Sequence, residues 1–163
     1  MESWRENLKD KPERYWIRVE IEEIVKKKLI DRKRFYEYSK MEYQKIINAF
    51  YYAFADYEKY PRVELNYCWL HFREELNKIE FVSEDIGWKC MLAKIKELLS
   101  YDWNEKIYLI LSQGWVYEGY IDNVIDVLNE VDGLLEDFYI VTPKFDKFAA
   151  YCDDGGCIVF YEK

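Results

Sequence analysis

Glycine and histidine are scarce in this 163-residue chain, with six of the first and one of the second. So few glycines leave no Walker loop and no GxGxxG, because a backbone that cradles phosphate needs glycine at fixed spacing. Nucleotide binding is therefore disfavoured. The lone His71 rules out an HExxH zinc site, and no GxSxG motif accompanies it, so neither a zinc protease nor a serine hydrolase is signalled. No apolar run approaches the roughly 20 residues that a membrane-spanning helix needs. The N-terminus Met1-Glu2-Ser3-Trp4-Arg5-Glu6 has neither the apolar stretch nor the cleavage site of a signal peptide. The expectation is a cytoplasmic protein without a membrane partner. Cys68, Cys90, Cys152 and Cys157 show no CxxC spacing, and in a reducing compartment they read as buried free thiols. No metal and no cofactor is implied.

What is abundant is aromatic and acidic. The chain holds 16 Tyr, 9 Phe and 6 Trp; such side chains enlarge a core and equally enrich recognition surfaces, so composition does not separate the two uses. Half of the residues are apolar and 34% are charged, the balance of one folded domain over 1–163. The formal charge of −8 is uneven: residues 1–60 hold 14 Lys and Arg against 12 Asp and Glu, and residues 61–163 hold 10 against 20. A field of that sign repels nucleic acid and anionic lipid and speeds association with a basic protein. The run Lys26-Lys27-Lys28-Leu29-Ile30-Asp31-Arg32-Lys33-Arg34 could touch phosphate, but it reads better as a solvated face or a helix C-terminus.

The periodicity predicts an α+β fold, with N-terminal helices packed on a small, mainly antiparallel sheet. Pro12 opens a helix with Ile17, Ile21, Ile24, Val25 and Lys28 in phase. Ser39-Lys40-Met41-Glu42 reads as a capping box, followed by Tyr43, Ile46, Ile47, Phe50, Phe54 and Tyr57 at helical steps. Leu65–Leu76 reads as helix and 79–82 as extended. Ser83, with Glu84 and Asp85 behind it, caps a helix burying Trp88, Leu92, Ile95, Leu98 and Leu99. Residues 107–111 are a strand, about 120–131 a helix closed by Gly133, and 138–141, 148–152 and 157–161 are strands. The acidic C-terminal part is thus β-α-β-β-β, ending in a meander.

Two patterns could carry chemistry. With Asp154-Gly155 as a two-residue hairpin loop, Cys152 would face Cys157 directly, as a redox pair, half of a metal site, or simply two small apolar neighbours; Asp153 and Asp154 beside them argue against a reactive thiolate. Glu118, Asp122, Asp126 and Glu130 form an i,i+4 carboxylate series, either a solvated face or a docking ridge for a Lys/Arg-rich partner. Like charges at that spacing cost a few tenths of a kcal/mol each, so folding alone does not ask for it.

Trp115-Val116-Tyr117-Glu118-Gly119, the helix after it, and Asp137-Phe138-Tyr139-Ile140-Val141 leading into Lys144-Phe145 resemble the C-terminal pattern of a family of small uncharacterised bacterial proteins. The resemblance covers roughly residues 100–161 and implies the immunity-protein type that accompanies polymorphic toxins. Its motifs are aromatic and structural, and it carries over no functional residue. The reading that follows is a non-enzymatic protein-binding protein. Its alternatives are a small hydrolase or transferase built on carboxylates and tyrosines, and an oligomeric structural protein joined through the Tyr51-Tyr52 region. The oligomeric state is left open.

Overall fold

A computed structural model describes residues 14–81, 88–99, 104–132, 135–152 and 156–161. Pro12, the cap at Ser83, Glu84 and Asp85, Val82, Gly133 and the tip 153–155 lie outside the described residues. Helix α1 spans Arg14–Lys27 and buries Ile17, Ile21, Ile24 and Val25, the predicted stripe. It stops in a Schellman arrangement: the Leu29 N–H donates to Lys26 O at 3.2 Å and the Ile30 N–H to Val25 O at 3.0 Å, with Leu29 left-handed at φ 54°. Strand β1 (Phe35–Glu37) follows, then α2 (Lys40–Phe54).

Ser39 does stand at the N-cap of α2, but its side chain makes no capping bond to the backbone. Its hydroxyl instead lies 3.4 Å from Glu42 Oε2, so the expected box is not formed. Tyr43, Ile46, Ile47, Phe50, Tyr51 and Phe54 are buried, while Tyr57 lies beyond the helix and is exposed.

The predicted helix over 65–76 is absent; only a 3₁₀ turn at Cys68–Leu70 forms there. The reason is that this segment's backbone finds its partners far along the chain. The Tyr67 N–H donates to Asp137 Oδ2 at 2.8 Å, the Arg73 N–H donates to Phe54 O, and His71 O accepts from the Asp56 N–H. Once long-range bonds satisfy these groups, a local helix offers no gain.

Strand β2 (Asn77–Phe81) begins two residues before the expected extended stretch. Helix α3 (Trp88–Leu98) has Leu92 and Ile95 buried, as is Leu99 just after it. Strand β3 (Lys106–Leu111) turns through Ser112-Gln113-Gly114 into β4 (Val116–Tyr120), a strand the sequence reading did not contain. Gly114 at φ 95° donates to Leu111 O and the Leu111 N–H donates to Trp115 O, which is a three-residue hairpin loop that needs glycine at its left-handed position. β4 runs without a linker into α4 (Ile121–Glu130), and β5 (Phe138–Val141), β6 (Lys147–Cys152) and β7 (Gly156–Tyr161) complete the chain. The C-terminal order is therefore β-β-α-β-β-β.

All strand pairs are antiparallel in one seven-stranded sheet of order β1-β4-β3-β5-β6-β7-β2. The fold is α+β, but the sheet is larger than expected because β1 from the helical N-terminal part forms one edge, β2 the other, and β4 is added inside it. Phe50 and Phe54 of α2, with Phe72, pack on Tyr139 and Phe148, which share one face by register. The alternate residues Leu109, Ile140 and Ala149 are equally buried, and α1, α3 and α4, touching one another and β3, β4, β6 and β7, supply the second layer. At the β1 edge Gly119 is required by contact rather than torsion: a Cβ there would lie 2.8 Å from Phe35 Cδ2 and 2.9 Å from Arg34 O.

Candidate functional site

The carboxylate series does not survive folding as a ridge. Glu118 lies in β4, so only Asp122, Asp126 and Glu130 share α4. Asp122 pairs with Lys96 of α3, and Glu130 receives Lys28 at 3.4 Å and Lys27 at 3.9 Å. The basic run is thus partly spent on the ridge, and Arg32 and Lys26 both bind Glu22. Exposed pairs of this kind add about 0–1 kcal/mol each. They also place part of the basic run beside Glu130 of α4. Asp126 alone of the four is exposed and forms no ion pair among the described residues.

Glu118 enters a different group. The register aligns Tyr36, Glu118 and Tyr108 across β1, β4 and β3, and the Tyr38 hydroxyl donates to the Glu118 carboxylate. Lys106 Nζ stands 4.0 Å from Glu118 and 5.2 Å over the Tyr36 ring. Phe145 stacks on Tyr108 at 5.6 Å. Burial first, and the Glu118 carboxylate accepting its hydrogen bond second, push the Tyr38 hydroxyl far above the ordinary phenol range; burial also raises Tyr36 and Tyr108. These hydroxyls stay protonated at neutral pH. The Tyr38 hydroxyl acts here as a donor that holds the Glu118 carboxylate in place.

The thiols are not an opposed pair. Cys152 is in register with Gly156, and Cys157 with Tyr151, one residue away from the expected pairing. A shift of one residue exchanges parity. Cys152 and Cys68 are both buried, and burial, with Asp137 nearby, raises the Cys68 thiol well above its usual value. Among the described residues no group of three or more His, Cys, Asp or Glu is arranged to hold a metal.

The segment from Ala55 to Leu76 builds the surface that pattern reading missed. Its signal in the sequence was aromatic density without period: Tyr57, Tyr60, Tyr67, Trp69 and Phe72. The fold leaves Tyr52 50%, Tyr57 43%, Tyr67 54% and Leu70 56% exposed. They belong to one patch. Tyr52 and Tyr57 meet edge to face at 5.3 Å, and the Asp56 N–H donates to His71 O at 2.7 Å, which brings 56–57 beside 70–71. Tyr60 stacks on His71 at 4.2 Å, and 3₁₀ bonding joins Leu70 to Tyr67.

Tyr51, in contrast, is fully buried and donates to Tyr60 O at 2.7 Å; burial raises its pKa to about 12. Of the Tyr51-Tyr52 region, only Tyr52 can serve an interface. Tyr67 holds a left-handed backbone, φ 55°, a conformation of roughly 1–2 kcal/mol cost for a non-glycine residue; the buried Asp137 carboxylate secures it.

The rim of this patch is acidic. Arg62 pairs with Glu64 and Arg73 with Glu75, and Lys59 lies over Tyr60. Asp56, Glu58 and Glu74 form no ion pair among the described residues. Half-exposed rings and carboxylates are thus gathered along one segment of the chain.

A family model matches residues 13–163, and its description is that of a family of unknown function, DUF6756. No match was found among curated proteins or among solved structures. The chain belongs to DUF6756. Among the described residues no helix is long and apolar enough to cross a membrane.

Proposed function

We propose that this chain is a non-enzymatic protein-binding protein of the toxin-neutralising immunity type, acting in the bacterial cytoplasm. It takes a basic protein partner on the surface built from residues 52–71. The observation that carries this reading is the exposure of Tyr52, Tyr57, Tyr67 and Leu70 in one patch rimmed by Asp56, Glu58 and Glu74. Large side chains kept in water stabilise no fold, whereas tyrosines in such a place are the residues most often found to dominate binding energy. The irregular stretch from 55 to 76 is also longer than the roughly 12–15 residues beyond which a loop usually has a use. The overall charge of −8 favours rapid encounter with a cationic partner.

The test first identifies a basic protein that the immobilised chain retains from lysate at low salt and releases at high salt. On this reading co-expression restores growth to cells making that protein. The purified pair then binds by calorimetry with an affinity that falls as salt rises. No rescue and no binding at low salt would discard the immunity reading. The same exposed Tyr52 supports a second arrangement, two copies joined face to face through this patch. Light scattering at high concentration decides it: a monomer removes it.

A further inference from the structure

We infer that the Tyr52–Tyr57 pair is a seat for an arginine side chain of the partner, an inference that rests on the protein-binding reading above. The chain displays the same recognition inside itself. The Arg34 guanidinium lies 4.6 Å from the Tyr120 ring centroid, Lys106 lies over both Tyr36 and Tyr120, and Lys59 lies over Tyr60. Those three tyrosines are partly buried and their ring faces already hold cations of this chain. Tyr52 and Tyr57 are the exposed counterparts, and among the described residues no cation stands over either.

The nearest arginine does not fill the place. Arg73 reaches the backbone, with Nη2 3.3 Å from Tyr52 O and Nη1 3.8 Å from Glu75. The two rings meet edge to face at 5.3 Å, and each remains about half exposed to solvent. Asp56 and Glu58 flank Tyr57 in the sequence, with Asp56 Oδ1 accepting the Lys59 N–H at 3.3 Å, and give this segment negative charge complementary to a cation. Arginine fits this combination better than lysine, because its planar guanidinium stacks on a ring while its edge donates to a carboxylate in fork geometry.

The experiment titrates the full chain with a hexa-arginine peptide, and with a hexa-lysine peptide of the same charge, at low salt. Y52L/Y57L keeps apolar bulk and removes the ring faces; Y52F/Y57F keeps the rings. The expected result is a hexa-arginine affinity roughly five- to thirty-fold lower in Y52L/Y57L and within about two-fold of the parent in Y52F/Y57F. Hexa-lysine should lose less. A Y52L/Y57L chain that binds hexa-arginine as the parent does overturns the inference, as does equal loss for the two peptides. Both side chains are exposed, and circular dichroism confirms that each variant folds. The two readings fail separately: a basic partner protein that still binds Y52L/Y57L at full affinity sinks the arginine seat and spares the function, whereas hexa-arginine discrimination without any neutralisation does the reverse.

Discussion

Leu29 ends α1 in a conformation that suits glycine. It is 89% exposed with φ 54°, at the position of a Schellman motif where the chain reverses so that Ile30 can pack against the core. A left-handed backbone costs a non-glycine residue roughly 1–2 kcal/mol, and glycine returns about 0.5–1 kcal/mol of that through its freer unfolded chain. The Leu29 side chain buries almost nothing, and both capping bonds are made by backbone groups that glycine retains. Leu29→Gly should therefore stabilise the protein by about 0.5–1 kcal/mol. For a chain of this size that raises Tm by about 1–4 °C, and in urea it moves the midpoint upward at unchanged slope. Leu29→Ala, which keeps the strain, is the control and should change little. If Leu29→Gly lowers the midpoint, or if Leu29→Ala raises it equally, the backbone argument is wrong.

Other substitutions and conditions test the remaining contacts. Gly119→Ala drives a Cβ into Phe35 and the Arg34 carbonyl and should cost about 1–3 kcal/mol in urea unfolding; a neutral result would mean β1 moves freely against β4. Tyr38→Phe removes the donor to a half-buried carboxylate and should cost about 1–3 kcal/mol, with Glu118→Gln recovering part of that loss in the double variant. Tyr51 titrates near 12 in the fold against about 10 when unfolded. Above pH 10 the unfolded state therefore binds fewer protons and stability falls as pH rises toward 12; tyrosinate absorbance and circular dichroism should change together, and tyrosines that all titrate near 10 in an intact fold would contradict the burial. Asp126→Lys should leave the affinity for the basic partner within about two-fold, because a lone exposed charge outside the aromatic patch adds little.

The elements that were legible are those whose order is local. Ile17 to Val25, Tyr43 to Phe54 and Ile121 to Leu128 each carry a helical stripe that needs no knowledge of the partner layer, and 107–111 and 138–141 are short apolar runs with turn residues at their ends. What failed depended on distant chain. β4 was hidden because Glu118 fell in step with Asp122 and Asp126, so a strand residue was read as the first turn of a helix. The register of β6 against β7 differs by one residue from the expected one, and that single step sets Cys157 opposite Tyr151 instead of Cys152. The charge patterns misled for the same reason: a basic run and an acidic series far apart in sequence were read as two surfaces, and folding set them against each other.

The aromatic surplus divides at one peptide bond. Tyr51 and Tyr52 are adjacent and chemically identical, yet the first is fully buried and the second half exposed. Helix phase alone separates them, since Tyr51 follows Ile47 by four residues on the stripe that faces the sheet, while Tyr52 is turned a further 100° or so away. Burial of Tyr51 then orders the loop beyond it: its hydroxyl holds the Tyr60 carbonyl at 2.7 Å and lies 3.4 Å from His71 Nδ1, fixing the two ends of the segment that carries Tyr67 and Leu70 and that begins three residues after Tyr57. A core tyrosine thus positions the exposed ones. Tyr51→Phe should accordingly weaken partner binding without touching the partner, by loosening 57–71, and the loss should be accompanied by faster amide exchange in that segment. Weakened binding with exchange unchanged would instead place Tyr51 at the contact itself, which its burial opposes.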